Sequence, residues 1–252
     1  MGDLAGKIVL ITGASRGIGA ETARQVVAAD GKVILHFNKN ESLVNGLIDE
    51  LGKDSCCAIS ADFMKNSDIQ DLWTKSLDWF GRVDVLVNNA GIYESVDIDS
   101  DFDSWALAWE RTMQVNLLAS VHLSREAIRS FLKSNGGTII NVTSRAAFRG
   151  DSQQHLHYAA SKGGQISITH TIARGWGKKG VMCYSVAPGW VDTEMAREGA
   201  EQIGWDNVMR DLPLEELVPP KEVADVIVFL SSGKARHVTG SSININGASF
   251  PR

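Results

Sequence analysis

The sequence predicts a single α/β domain over 1–252, with a doubly wound parallel sheet of seven strands and helices on both faces. Three observations predict it. Short runs rich in valine and isoleucine alternate with longer amphipathic stretches, as expected of strands buried on both faces by helices. The first run ends in a glycine-rich turn from which helical periodicity starts at once. All five prolines lie at or beyond Pro188, so no proline-rich linker divides the first three quarters of the chain.

The strand-like runs are 7–11, 32–37, 55–60, 83–87, 138–142, 181–187 and 242–245. After the first run, Ala20, Ala23, Val26 and Val27 recur at helical spacing. Near the end, a polar stretch over about 190–215 is interrupted by Gly199 and Gly204 and bounded by Pro188-Gly189 and Pro219-Pro220. A helical substrate flap is expected there.

Composition narrows the function classes. The 44% hydrophobic and 22% charged content is that of an ordinary globular chain. The net charge of −5 comes from 30 acidic and 25 basic residues without a basic block, which argues against a nucleic acid partner. The N-terminal apolar run, Ile8-Val9-Leu10-Ile11, is too short for a membrane span or a signal-peptide core, so no membrane partner and a cytoplasmic location are expected. Cys56, Cys57 and Cys183 suit neither a disulfide framework nor zinc and read as buried thiols; the six histidines also lack metal spacing, and no metal is expected.

The first turn reads Thr12-Gly13-Ala14-Ser15-Arg16-Gly17-Ile18-Gly19. Between a strand and a helix, such a turn lets backbone N–H groups approach a pyrophosphate at the positive end of the helix dipole. Gly13, Ser15, Arg16, Gly17, Ile18 and Gly19 are therefore candidate dinucleotide ligands, a plain tight turn being the alternative. At the end of the second strand, an acidic residue would bind a ribose 2′-hydroxyl and repel a 2′-phosphate. Here the chain reads His36-Phe37-Asn38-Lys39-Asn40, with no carboxylate before Glu41. Lys39 and Arg16 can supply cationic donors, so NADP(H) is favoured over NAD(H); Lys39 as a solvated loop residue keeps NAD(H) open.

The chemical signal is Tyr158-Ala159-Ala160-Ser161-Lys162, downstream of Ser144. Spacing of four puts the tyrosine and lysine on one helix face, with β-carbons about 5–6 Å apart. A nearby ammonium and a cationic nicotinamide would both favour the phenolate, tuning the phenol for acid–base work. Of the three tyrosines, only Tyr158 has a lysine four residues on.

Four motifs together resemble the short-chain dehydrogenase/reductase family, over nearly the whole chain. They are the turn Thr12–Gly19, the run Asn88-Asn89-Ala90-Gly91 after the fourth strand, the Ser144/Tyr158/Lys162 set, and Pro188-Gly189 followed by Thr193. The resemblance, closest in kind to β-ketoacyl carrier-protein reductases, implies a Rossmann-like fold. It implies that Ser144 hydrogen-bonds the substrate oxygen, Tyr158 moves the proton, and Lys162 binds the nicotinamide ribose and lowers the tyrosine pKa. Asn116 would hold a water linking the lysine to solvent, or else is a polar residue satisfied inside a helix. The resemblance further assigns Asp62 and Phe63 to adenine, Asn89, Ala90 and Gly91 to the adenosine ribose and cofactor wall, and Val191 with Thr193 to the nicotinamide amide. Thr143 is the rival hydroxyl, but strand alternation turns neighbours to opposite faces and favours Ser144. Asn246-Gly247-Ala248 departs from the doubled glycine common in the family.

The expected function is NADP(H)-dependent hydride transfer between nicotinamide and a small-molecule carbonyl or secondary alcohol. The alternatives are an NAD(H)-dependent alcohol or sugar dehydrogenase and a non-catalytic dinucleotide-binding regulatory module. The substrate wall is expected from 145–157 and the flap, including Phe148, His155, Trp190 and Trp205, the two tryptophans being equally readable as packing residues. Family helices over regions such as 104–134 and 157–178 pair across two-fold axes, which implies a homotetramer or homodimer. Leu107, Leu117, Leu118, Val121 and Leu123 supply an apolar face that could equally meet the protein's own sheet.

Overall fold

The valine and isoleucine runs become strands in the computed structural model, which describes residues 2–251. These are β1 (Ile8–Ile11), β2 (Lys32–Phe37), β3 (Cys56–Ser60), β4 (Val85–Asn88), β5 (Gly137–Val142), β6 (Val181–Pro188) and β7 (Ser242–Ile245). Several strand ends shift by one or two residues from expectation, and the two ends of β4 have a visible physical reason. β4 begins at Val85 and not at residue 83: the Asp84 carboxylate, and not a backbone carbonyl, accepts the Ile8 amide at 2.8 Å, while the Asp84 backbone still bonds Ile8 and Thr138. Asn88 belongs to β4 and not to the following turn, its side chain donating to Asn141 Oδ1 of β5 at 2.8 Å.

The sheet order is β3-β2-β1-β4-β5-β6-β7, and every neighbouring pair is parallel. From β1 the chain winds outward through β2 and β3, then returns to β1's other side as β4. Connections leave β1 and β4 in opposite directions, so a crevice opens at their carboxyl ends.

Strand alternation divides the core in two. Val9, Ile11, Val33, Leu35, Val85 and Val87 pack on one face, against α1 (Gly17–Ala28), α2 (Glu41–Leu51) and α10 (Pro220–Ser231). Ile8, Leu10, Ile34 and Leu86 pack on the other, against α3 (Asn66–Phe80), α5 (Ala119–Phe131) and α7 (Leu156–Trp176). Each such fully buried aliphatic side chain contributes about 1.5–3 kcal/mol. The remaining helices are α4 (Phe102–Thr112), the single turn α6 (Ala146–Arg149), and the flap helices α8 (Glu194–Ile203) and α9 (Trp205–Arg210).

The helix expected over 104–134 is α4 and α5 joined by a π-helical segment, Met113–Leu118. Asp101 caps its start by accepting the Ser104 amide at 2.9 Å. Leu123 points into the sheet core, whereas Leu107 and Leu118 are 53% and 40% exposed. In the flap, Ala200, Val208 and Leu212 form a small core of their own with Trp190 against it. Ala248, where the resemblance implies a glycine, has φ 60°. Among the described residues no helix is long and apolar enough to cross a membrane.

Candidate active site

The crevice at the β1/β4 switch point is a cleft of ≈ 1220 Å³ lined by the glycine turn, the carboxyl ends of the central strands, Tyr158, Lys162 and the flap. It exceeds the roughly 300–1,000 Å³ of drug-sized sites, which suits a dinucleotide with a substrate beside it.

At one end lies the turn from β1 into α1. Arg16, at the helix N-cap, makes no side-chain cap hydrogen bond, so the first-turn N–H groups keep their donor capacity on a surface lining the cleft. Gly13 has φ 66°, and a β-carbon there would come 2.9 Å from Ala90 Cα. At Gly19 a β-carbon would meet the Gly13 carbonyl oxygen at 2.2 Å. Only glycine lets these chain segments approach so closely, leaving a backbone-lined cradle. Asn89 stitches it to β4, donating from Nδ2 to the Thr12 and Gly13 carbonyls at 2.8 and 3.0 Å. The amides of Asn89 and Ala90 both donate to Thr12 Oγ1 at 2.9 Å.

His36 completes this end, and sequence reasoning passed over it. Its Nδ1 accepts the Gly13 amide at 3.1 Å, which leaves the proton on Nε2 to donate to the Ala61 carbonyl at 3.1 Å. Burial holds its pKa down at about 4, so the ring stays neutral. Phe63 stacks flat on it, with centroids 4.2 Å apart. The Phe63 ring expected at adenine is thus committed to His36 and buried, although the residue still lines the cleft beside Asp62. The available signal was a histidine near the carboxyl end of the otherwise apolar run Val33–Phe37.

Asn38 and Lys39 stand exposed at the rim, whereas Arg16 is drawn across the cleft mouth to Glu194 of α8. On the far side, Pro188 ends β6, and Gly189 lies where a β-carbon would meet Asn246 Cα at 3.0 Å. Val191 bridges to Val218, and Thr193 caps α8 by accepting the Ala196 amide at 3.3 Å.

Ser144, Tyr158 and Lys162 converge on the cleft. Tyr158 and Lys162 both face the cleft from α7, with Lys162 Nζ 5.8 Å from the phenol ring centroid. The ammonium donates to the Val142 carbonyl at 2.9 Å, so β5 anchors it. Ser144 hydrogen-bonds Tyr158, while Thr143 turns away to Ser185 Oγ at 2.8 Å and the Val186 carbonyl at 3.0 Å. Asn116, on the π-helical segment, exchanges both amide hydrogen bonds with the Ile92 backbone, at 2.8 and 3.0 Å, and donates to Ser161 Oγ at 3.2 Å. The extra residue of a π turn rotates this asparagine inward. At Gly91 a β-carbon would stand 3.6 Å from Lys162 Nζ, so its absence keeps the cleft open beside the ammonium.

The electrostatics correct one expectation. The protein alone does not acidify the phenol: desolvation pushes Tyr158 up to about 12, against the Ser144 hydrogen bond. Desolvation also lowers Lys162 to about 8, because burial disfavours either charged form.

The substrate wall differs in part from expectation. Trp190 lines the cleft, but Phe148, His155 and Trp205 do not. His155 lies behind the wall because Tyr93 stacks on it, centroids 3.8 Å apart, and Tyr93 itself meets Tyr158 edge-on at 4.8 Å. Arg145 and Asp151 of the expected 145–157 wall and Asp211 of the expected flap do line the cleft, together with Tyr93, which lies outside both segments.

Comparison with known proteins agrees with this geometry. The short chain dehydrogenase family profile matches residues 7–204. The 3-oxoacyl-(acyl-carrier-protein) reductase of Vibrio cholerae serotype O1 is 32% identical over 248 residues, covering 98% of this chain and 99% of the relative. The proteins of that name from Synechocystis sp. and Escherichia coli K12 are each 31% identical, covering 97% of this chain and 97% and 98% of theirs. A seven-stranded parallel sheet, a glycine cradle and near full-length similarity converge on one conclusion: the chain belongs to the short-chain dehydrogenase/reductase family, oxidoreductases of CH–OH and C=O groups that use NAD(P).

Proposed function

We propose that the chain is an NADP(H)-dependent reductase of small-molecule ketones in which Tyr158 donates the proton. One observation carries the reading: Ser144, Tyr158 and Lys162 share a cleft with an uncapped helix N-terminus set in a glycine cradle. Gly13–Gly19 would hold the pyrophosphate, Asn89, Ala90 and Gly91 the adenosine ribose and inner wall, Lys162 the nicotinamide ribose, and Val191 with Thr193 the nicotinamide amide. NADPH supplies the hydride when bound. Ser144 orients the substrate oxygen, Tyr158 gives it a proton, and Asn116 holds the Ile92 segment beside Lys162. Burial keeps the Tyr158 phenol protonated, the form that can give a proton to a substrate oxygen.

NADP(H) is favoured because Asn38, Lys39 and Asn40 follow β2 where an acidic residue would repel a 2′-phosphate. NAD(H) is the second reading, and one observation favours it: Arg16 already has a partner in Glu194. Parallel fluorescence titrations with NADPH and NADH decide between them, and a tighter NADH complex refutes the choice. Tyr158→Phe tests the chemistry. It should abolish turnover of a ketone panel while preserving NADPH binding, and unchanged turnover would refute the assignment.

The flap α8–α9 would cover the substrate half of the cleft. We assign a homotetramer or homodimer, since Phe102, Leu107 and Leu118 leave apolar surface exposed on the α4–α5 helix. Light scattering that returns a monomer overturns this. Three buried, unpaired cysteines suit a reducing compartment such as the cytoplasm.

A further inference from the structure

The substrate half of the cleft has a charge pattern that proton transfer does not use. Four arginines, Arg111, Arg145, Arg149 and Arg210, line it with two carboxylates, Asp151 and Asp211. Arg111 has a partner in Glu94, at 2.8 Å. Even counting that glutamate, the positive charges exceed the negative by one, in a chain whose net charge is −5.

The excess centres on Arg145, the residue after Ser144. Its side chain is only 8% exposed, and its backbone amide is fixed to the Pro188 carbonyl at 3.0 Å. Nη2 reaches Asp211 Oδ2 at 2.8 Å, while Nη1 is buried with no hydrogen-bond partner. An arginine kept only to tie the flap down would engage its carboxylate through both terminal nitrogens, since the planar fork matches a carboxylate bidentately. Asp211 is instead divided, because Arg149 Nη1 takes the same oxygen at 2.9 Å and Oδ1 at 3.2 Å. The other carboxylate near Arg145, Asp151, accepts from Tyr93 Oη at 3.1 Å and the Ser152 amide at 2.7 Å. A desolvated guanidinium with a donor left over is costly unless something pairs it.

We propose that the substrate carries a carboxylate, that Arg145 and Arg149 bind it, and that the flap's Asp211 holds its place when no substrate is bound. The substrate class is then a small oxo acid, or the corresponding hydroxy acid, and not a neutral ketone, ester or acyl thioester. The ketone oxygen reaches Ser144 and Tyr158 while the carboxylate takes the arginine next in sequence. A phosphate group shares this chemistry, and the test separates the two. The proposal rests on the oxidoreductase reading above and adds the identity of the substrate's second group.

The experiment follows NADPH oxidation by the full-length protein with 2-, 3- and 4-oxo acids, their methyl esters, the matching thioesters and phosphate-bearing ketones. The best oxo acid should exceed its ester in kcat/KM by roughly 10- to 100-fold, the range for a hydrogen bond to a charged group. Arg145→Met should bring that acid-to-ester ratio close to one, and Arg145→Lys, which keeps the charge without the fork, should restore part of it. Asp211→Asn removes the internal competitor and should lower KM for the acid without lowering it for the ester. Esters or thioesters used as well as acids would overturn the proposal, as would a preference for phosphate-bearing ketones. Equal effects of Arg145→Met and Asp211→Asn on acid and ester would reduce these residues to a flap tie. Should no ketone be reduced, the oxidoreductase reading itself fails; calorimetric binding of the oxo acid to parent and Arg145→Met protein with NADPH then decides the anchor, and no difference between them rejects it.

Discussion

Replacing His36 by phenylalanine isolates the two hydrogen bonds that join the glycine turn to the β3 exit. The substituted ring is somewhat larger but still flat, and can stack on Phe63, so most of the loss is polar. Removing Nε2 leaves the buried Ala61 carbonyl without its partner, at about 1–3 kcal/mol; removing Nδ1 frees the part-buried Gly13 amide, at about 0.5–1.5 kcal/mol. The variant should therefore be less stable by roughly 2–4 kcal/mol at pH 7.5 in urea unfolding. It should also bind NADPH about 10-fold more weakly, because the turn loses the contact that sets it.

The pH dependence gives the sharper check. His36 titrates near 4 in the fold and near 6.5 unfolded, so the unfolded state binds the extra proton between those values. Its contribution is present in full above about 6.5 and declines as the pH falls toward 4, by about 2 kcal/mol at pH 5. The phenylalanine variant lacks this component, so the stability gap between the two proteins should narrow from pH 7.5 to pH 5. A gap that is constant with pH, or a variant as stable as the parent with unchanged NADPH affinity, would refute the reasoning.

Other perturbations follow from the same geometry. Lys162→Met should impair both cofactor binding and turnover, and normal NADPH affinity in that variant would remove the lysine from the site. Because Lys162 is charged only below about 8 before cofactor binds, NADPH affinity should fall as the pH rises through that value, read by fluorescence titration. Gly19→Ala should cost more than the about 1–3 kcal/mol typical of overpacking, since its β-carbon would stand 2.2 Å from a backbone oxygen that cannot give way cheaply. Ala248→Gly should raise stability by about 1 kcal/mol in urea unfolding by relieving a left-handed backbone, with activity retained.

Much of the fold was legible because it rests on local periodicity. The run Val33-Ile34-Leu35 that became the middle of β2 is such a signal, since a strand buried on both faces needs a continuous apolar run. Strand ends were less legible: where β4 begins depends on the Asp84 carboxylate taking the Ile8 amide, from a residue 76 positions away in sequence. The same division holds in the site. Tyr158 and Lys162 announce themselves because their spacing and their shared face are both properties of one helix. His36, Tyr93 and the Arg145–Asp211 pair do not, because each acquires its partner from a distant segment, and the sequence contains no spacing that encodes the meeting.

Read alone, the sequence determined the parallel α/β plan, the glycine turn and the tyrosine–lysine pair, since each follows from residue order within one turn, strand or helix. The tertiary structure decided which charges and rings meet across the cleft, and therefore the ionisation of its groups. Burial raises the phenol and lowers the ammonium, an effect set by how much protein surrounds each group. It is only after the flap, β5 and the glycine turn come together that the Tyr158 phenol is pushed up, His36 is neutral and Arg145 has a donor to spare.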